Sequence, residues 1–410
     1  MQRPIPIPAT TTASRRGVIV PLVAIAILVV GGGIALVLDR LWLASAKSEI
    51  LTVAEGAALA ACRSLIDEEL LKYPNLRQNE NDWQQQRIEI ARQTAGDVAA
   101  QNTVAGNNVS LDLSETGDVR FGKLARQSET DQVLFLETNN RPTSVVVSAY
   151  RSRSRNNPVA LLFQELTDEF AGDVAARAEA SWGNRIVGLR PHQNLPAPVL
   201  PIAVLESDPA GTQLETWTRQ IEQFQGNDRY RFDPVTGAVT DGSDGLPEIV
   251  LQWSSESKSI SNHCFIELGP VGERNASLRQ LKTGWRPADL QSMSGEIRLS
   301  PNTVDLWGRE RLTQAECRVL KEMIGECRIV CLCKTPASSV QSQRRLRLTL
   351  TRFVGARIMA VDVVPQQKVQ IVLQPAVVIT RTALPATLPG DEATSTVPAN
   401  PYVYKIQVTQ

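Results

Sequence analysis

The sequence has little histidine and no excess of charge of either sign. Its 410 residues include 2 histidines, and 43 Lys and Arg residues balance 43 Asp and Glu residues. Nucleic-acid binding needs a basic face or a basic run. The nearest such run, Arg344, Arg345 and Arg347, leads into an apolar strand pattern and is typical of a solvated sheet edge. We therefore expect no nucleic-acid partner.

Motifs of the common nucleophilic, zinc-dependent and nucleotide-dependent enzymes are absent as well. The sequence has no GxSxG, HExxH, GxxxxGKS or GxxxxGKT pattern. Histidine is the most frequent general base, but His192 lies in the loop "RPHQNLP", and His263 and Cys264 are strand neighbours whose side chains point to opposite faces. We predict no catalytic, cofactor-binding or metal-binding residues, no cofactor and no small-molecule substrate. A hydrolase with two facing carboxylates of raised pKa is an alternative.

The six cysteines lack the spacing of a zinc site. Four of them crowd into "CRVLKEMIGECRIVCLC" without paired CxxC units, and neither histidine is close in sequence. Cys331 and Cys333 alternate within a strand pattern, so their side chains share one face. We predict buried thiols or a structural disulfide, with a metal site and a reactive thiol as alternatives. Asp241, Ser243 and Asp244 lack the complete calcium-loop pattern and predict a solvated turn.

What the sequence does contain is a long uncharged apolar run from Val18 to Leu38. At the ~1.5 Å rise per residue of a helix, it covers roughly the ~30 Å thickness of the bilayer hydrocarbon. Arginines precede the run without any acidic residue, so residues 1–17 are predicted to stay in the cytoplasm and the rest of the chain to lie outside. The run exceeds the ~7–15-residue core of a cleavable signal, which favours a single-pass anchor. A signal cleaved at the "ASA" of residues 44–46 is the alternative.

The helical pattern continues beyond the span, over residues 39 to about 71. Apolar residues recur every three or four positions on one face, and many of them are alanines. The central part of this face, formed by Ala54, Ala57, Ala58 and Ala61, predicts close packing against another helix or a sheet. Span and extension together would form one helix of about 80 Å, a stalk of the pilin kind.

Helix and strand patterns then alternate, which predicts an α+β fold with mixed, strand-rich extracytoplasmic domains. The helical patterns "NDWQQQRIEIARQTAGDVAAQN" and "VALLFQEL" and the strand patterns "VSLDL", "TSVVVSAYR" and "DVAARAEASW" assign residues 39–206 to the stalk helix and a first domain. The helical pattern "TQLETWTRQIEQF" and the strand patterns "CRIVCLC", "RLRLTLTRF" and "ARIMAVDVV" assign residues 207–380 to a second domain. Residues 381–410 are predicted to be a Pro/Thr-rich loop and a final strand at "YVYKIQV".

The first residues of the chain follow a recognisable order: Arg15-Arg16-Gly17, the apolar span, Asp39-Arg40-Leu41 and the alanine-rich helix. This order resembles the N-terminal segment of the TadE/TadG-like Flp pilus-assembly family. In that segment the helix after the span has an alanine-rich core with an acidic residue, and "VAEGAALAA" places Glu55 at the acidic position. "RSRNNPVALLFQEL" and "FVGARIMAVDVVPQQKVQIVLQPAVVI" are similar to later parts of such proteins.

The resemblance implies a non-enzymatic, single-pass component of a tight-adherence (Flp, type IVc-like) pilus assembly or secretion system in the bacterial inner membrane. Its globular part would be periplasmic, and its partners would be the membrane and other pilus-assembly or envelope proteins. A type IV prepilin has glutamate at the fifth position after its cleavage glycine, whereas the fifth residue after Gly17 is Leu22, which counts against processing into a pilus subunit. An anchored structural or adhesive envelope protein unrelated to pili and an envelope hydrolase are the alternatives.

Overall fold

The structure is a computed structural model. It describes residues 19–127, 131–167, 170–252, 261–269, 273, 275–299, 304–309, 312–334, 346–364, 368–387, 390–391 and 395–409. The predicted cytoplasmic tail of residues 1–17, the predicted first residue of the span, Val18, and the arginines Arg344 and Arg345 lie outside these residues.

The described residues form five α-helices: α1 Ile19–Ser64, α2 Glu80–Ala100, α3 Gln164–Thr167, α4 Ala276–Thr283 and α5 Gln314–Glu322. The first ten strands are β1 Thr103–Val104, β2 Asn107–Asn108, β3 Val119–Arg126, β4 Val133–Glu137, β5 Ser144–Arg151, β6 Val159–Ala160, β7 Ala171–Gly172, β8 Val174–Gly183, β9 Ile186–Leu189 and β10 Val199–Leu205. The remaining strands are β11 Tyr230–Phe232, β12 Val239–Asp241, β13 Ile249–Gln252, β14 His263–Ile266, β15 Ile297–Arg298, β16 Val304–Arg309, β17 Cys327–Cys333, β18 Leu346–Val364, β19 Lys368–Pro375, β20 Val378–Ile379, β21 Ala383–Pro385 and β22 Val403–Val408.

The first helix, α1, is continuous over 46 residues, which is about 70 Å at the standard rise. It runs through the three glycines at residues 31–33, and no neighbouring side chain or backbone lies within 4 Å of a Cβ built on any of them. The helix ends at Ser64 rather than near Leu71, and Glu69–Leu71 form a separate single turn of 3-10 helix. The helix is therefore about two turns shorter at its C-terminal end than the apolar pattern up to Leu71 predicts.

The C-terminal half of α1 packs with α2 against a six-stranded sheet, which we call the first sheet. Its strand order is β20-β22-β8-β5-β3-β4, and neighbours are antiparallel except β20 and β22. The N-terminus of α2 is capped by Asn79, whose side chain accepts a hydrogen bond from the Asn81 N–H at 3.0 Å. The sequence pattern favours Asn81 or Asp82 as the cap, so the observed cap lies two residues before the earlier of them.

Five strands of the other large sheet close into a small barrel in the order β10-β14-β16-β18-β17. The closure is visible at Leu350 of β18, which is the register partner of Val304 on β16 and of Cys333 on β17. Beyond the barrel, β18 continues and pairs with β19, which in turn pairs with β13. α4 contacts β10 from outside the barrel. Every residue of β10 is buried, as expected for a strand covered on both faces.

The strand pairing does not follow the division predicted between residues 206 and 207. β10 precedes that boundary but belongs to the barrel, and the final strand β22 returns to the first sheet, between β8 and β20. Three local patterns also fold differently. "VSLDL" contains no strand, "VALLFQEL" supplies only β6 and the short α3, and "TQLETWTRQIEQF" forms a π-helical turn at Thr218–Glu222. The chain is nevertheless α+β, with a long apolar N-terminal helix followed by mixed, strand-rich sheets.

Candidate functional site

The N-terminal half of α1 is an apolar rod that projects from the rest of the protein. It is long and apolar enough to cross a membrane, and 6% of its most apolar 18-residue stretch is buried. Large side chains point outward along it, and Leu38, the last residue of the predicted span, is still 39% exposed. An N-terminal helix with these properties is typical of a membrane anchor or a signal sequence.

The rod meets the folded part of the chain at Asp39, the first charged residue after the span. Asp39 is buried, and its Oδ1 accepts hydrogen bonds from the backbone N–H groups of Leu162 at 2.8 Å and Phe163 at 3.3 Å. One turn further along α1, the Trp42 indole Nε1–H donates to the Ala160 carbonyl oxygen at 3.1 Å. We call residues 159–167 and 170–172, from β6 to β7, the junction loop. Its placement depends on these side chains of α1.

The predicted packing face of α1 lies inside the fold. Ala54, Ala57, Ala58 and Ala61 are all 0% exposed. They share a cluster with alanines of α2 and with small side chains of β5 and β8. Small residues on both sides let the backbones of a helix and its neighbours approach closely. Because the chain itself fills this face, these four alanines are not free to contact another subunit.

The end of α1 is tied to the barrel by an ion pair. The guanidinium of buried Arg357 on β18 donates from its two Nη atoms to the Glu68 carboxylate at 2.9 and 3.1 Å, and Glu68 also accepts from the Val377 N–H at 3.1 Å. Arg357 also lies 3.9 Å over the ring of Phe232. Burial lowers the pKa of Arg357, but Glu68 outweighs it and the net shift is upward. The segment that follows α1 is thus tied to β18 and to the residue before β20.

The two histidines differ in exposure, and five of the six cysteines are buried. His192 is exposed, whereas His263 is buried, and burial lowers its pKa to about 4. The six cysteines are free thiols, with Cys327 half-buried and the others buried. Burial raises the pKa of Cys331 and raises that of Cys333 to about 12, which keeps these thiols protonated at neutral pH. Among the described residues, no three His, Cys, Asp or Glu side chains are grouped to hold a metal.

Two carboxyl groups with raised pKa lie near each other in the turn region after β10. Burial raises the pKa of Asp244, and it raises that of Glu248 to about 7, against the hydrogen bonds that Glu248 accepts from the Tyr230 and Arg229 N–H groups at 2.7 and 3.0 Å. Asp244 accepts from the Leu246 N–H and the Gln374 amide. Both carboxyls thereby hold the backbone of their own loops together.

Three clefts in the described part of the chain are lined by residues other than Asp244 and Glu248. One cleft is lined by Glu267, Asp289 and Asp305 beside the half-exposed Trp307. Burial raises the pKa of Asp289, but the Arg279 guanidinium and other hydrogen-bond donors together lower it by more, so the net shift of this pKa is downward. Thr349 and Arg347 lower that of Asp305. Charged, ion-paired carboxylates of this kind are poor general acids.

Comparison of the chain with protein-family models, with curated proteins and with solved structures found no match. The functional argument therefore depends on the geometry of the chain itself. Its most distinctive feature is the exposed apolar half of α1 together with the junction loop around Asp39. The sequence predicted the long apolar N-terminal helix, and the alanine face is buried, but the roles of Asp39 and Glu68 were not predicted. The position of Asp39 as the first charge after the span was the available signal.

Proposed function

We propose that the protein is a non-enzymatic, membrane-anchored component of a tight-adherence (Flp, type IVc-like) pilus assembly or secretion system. The observation that carries the proposal is the organisation of α1. A single helix is apolar and exposed over its first half and buried against a sheet over its second half. This is the arrangement of a pilin-like stalk, in which one helix both enters the membrane and forms the spine of the globular part.

The proposed location is the bacterial inner membrane, with the N-terminus in the cytoplasm and the bulk of the chain in the periplasm. The arginines before the span support this orientation, because positive residues are retained on the cytoplasmic side. Free, buried thiols are compatible with an oxidising compartment, since buried thiols are protected from reaction.

A role in assembly, rather than as a pilus subunit, is supported by Leu22 at the position where a prepilin has glutamate. The alanine face also argues against polymerisation through the C-terminal half of α1, because the chain's own α2 and first sheet cover this face. Contacts with other membrane subunits would then involve the exposed apolar half of α1, where glycines allow close helix approach.

The experiment is deletion of the gene in its native bacterium, followed by complementation with the intact chain and with a chain that lacks residues 1–38. We expect deletion to abolish surface pili and surface attachment, and only the intact chain to restore them. Pili would be counted by electron microscopy. Normal pili in the deletion strain would refute the proposal, and loss of attachment with normal pili would indicate an adhesive envelope protein instead.

A further inference from the structure

The junction loop leaves the fold beside the point where α1 emerges from it, and it runs toward the membrane. Its backbone meets Trp42 through Ala160, then Asp39 through Leu162. From Trp42 to Asp39, the contact moves about one turn toward the N-terminus of α1. α3, which follows within the loop, also contacts α1.

The contact with α1 extends into the span itself. Ala35, one turn before Asp39, is 1% exposed, whereas Ile34 and Leu36 on either side of it are 56% and 55% exposed. One face of α1 is therefore covered at this level, and α3 of the junction loop contacts α1. Because the predicted span ends at Leu38, the loop lies beside the end of the predicted span.

Two large apolar side chains of the junction loop remain uncovered at this depth. Leu162 is 58% exposed and Phe170 is 64% exposed. Several backbone groups of residues 159–162 and 170–172 have hydrogen-bond partners, which suits an apolar environment. The Leu161 N–H donates to the Phe170 carbonyl oxygen at 3.2 Å, β6 pairs with β7, and Asp39 accepts the Leu162 N–H. Backbone groups need such partners wherever lipid replaces water.

We propose that the junction loop is a second membrane contact, in which Leu162 and Phe170 insert into the interface of the bilayer that holds α1. The occupant of this apolar surface is lipid, because the surface is continuous with the exposed apolar half of α1. Arg40 is exposed next to Asp39, where a long basic side chain extends toward headgroup phosphates. The inference relies on the membrane anchor of the proposed function but not on the connection with pili.

A second contact changes what the anchor does. A lone helix leaves the attached domain free to rotate and tilt, whereas a helix and a loop that insert together define one orientation. The buried Asp39 carboxylate is the element that holds the two together. Its Oδ1 accepts from two N–H donors of the loop, which offsets part of the cost of its burial, whereas its buried Oδ2 has no hydrogen-bond partner among the described residues.

The test is to place a fluorescent probe on the loop of the full-length protein. Phe170→Cys and, separately, Leu162→Cys are labelled with an environment-sensitive fluorophore and reconstituted into phosphatidylcholine vesicles with and without brominated acyl chains. We expect blue-shifted emission that the bromines quench. The matched control is Val235→Cys, because Val235 is 91% exposed in the turn between β11 and β12. The wild-type protein, whose thiols are buried or half-buried, gives the labelling background.

Emission at 162 and 170 that matches the water-exposed Val235 position, without quenching, would overturn the inference. A blue shift that appears only in native membranes, and not in vesicles of pure lipid, would also overturn it, since the occupant would then be a protein. Alkaline carbonate extraction of the same vesicles tests the anchor separately. Retention of the protein with an unquenched loop probe would refute the loop contact while leaving the proposed anchor intact.

Discussion

Replacing Ala57 with leucine should destabilise the fold, although leucine is nearly as good a helix former as alanine. Ala57 is 0% exposed and belongs to the same cluster as the fully buried Ala91 and Ala95 of α2. The leucine side chain adds three carbon atoms. If the interface had room for them, burial would stabilise the fold by up to about 2 kcal/mol. Without room, overpacking costs about 1–3 kcal/mol. The sign of the change therefore reports whether the interface is closely packed.

The spacing observed at Gly56 favours the destabilising outcome. A Cβ built on Gly56 would lie 3.8 Å from Val98 Cγ1 of α2, so a single added methyl group would already be in van der Waals contact with α2. We therefore expect Ala57→Leu to lower the free energy of unfolding by about 1–3 kcal/mol. Gly56→Ala should raise it by about 0.5–1 kcal/mol, because alanine fits the space and loses less backbone entropy.

The assay is urea unfolding of the full-length protein in detergent, followed by resistance to brief proteolysis. Ala44→Leu serves as the matched control because Ala44 is exposed on the same helix, and it should change stability by less than about 0.5 kcal/mol. An Ala57→Leu protein that unfolds at the same urea concentration as wild type would refute the close packing of α1 on α2 and the first sheet.

Three further outcomes are expected. Glu68→Gln leaves the buried Arg357 without its carboxylate and should lower the free energy of unfolding by about 3 kcal/mol. This value is near the lower end for a buried pair, because the Glu68 side chain is 25% exposed. The control is Asp305→Asn in an exposed pair, which should change the free energy of unfolding by less than about 1 kcal/mol in the same urea assay. The pKa of Glu248 is raised from 4.5 to about 7, so the folded state retains a proton that the unfolded chain has lost, and stability should be full below pH 4.5 and fall by up to about 3 kcal/mol as pH rises to 7. This part of the slope should be absent from Glu248→Gln and should therefore remain in the difference between wild type and the variant. An unchanged slope in the variant would contradict the burial of this carboxyl. A phosphatase reporter fused after Gln410 should be active only outside the cytoplasm, and cytoplasmic activity would reverse the orientation.

The sequence predicted the elements whose pattern is set by one partner surface. α1, α2 and β5 each have a strong period, because each lies against one core. β18 shows where this reasoning ends. Its 19 residues look like two strands separated by a break at Gly355. In the structure Gly355 lies within β18 rather than in a turn. A Cβ at this position would collide with the Ala376 carbonyl oxygen. The glycine permits close approach of two backbones, which a single sequence does not distinguish from a loop.

Only part of the candidate site could be predicted from the sequence, for a related reason. The span and the alanine face are properties of one helix and can be predicted from local composition. The junction loop depends on contacts between Asp39 and residues more than a hundred positions away. Its "VALLFQEL" pattern favours a helix, but the hydrogen bonds to Asp39 and the pairing of β6 with β7 limit α3 to four residues. Long-range partners of this kind decide local structure whenever propensity is weak.

The return of β22 to the first sheet determines when this protein can finish folding during its synthesis. α1 is made before the barrel strands, whereas β22, which contacts α1 and pairs with β8, is made after them. Until β22 has been made, β8 presents an open edge and α1 lacks part of its cover. A chain that stops anywhere within the barrel therefore leaves a recognisably unfinished sheet beside the membrane, exposed to the proteases that remove incomplete chains.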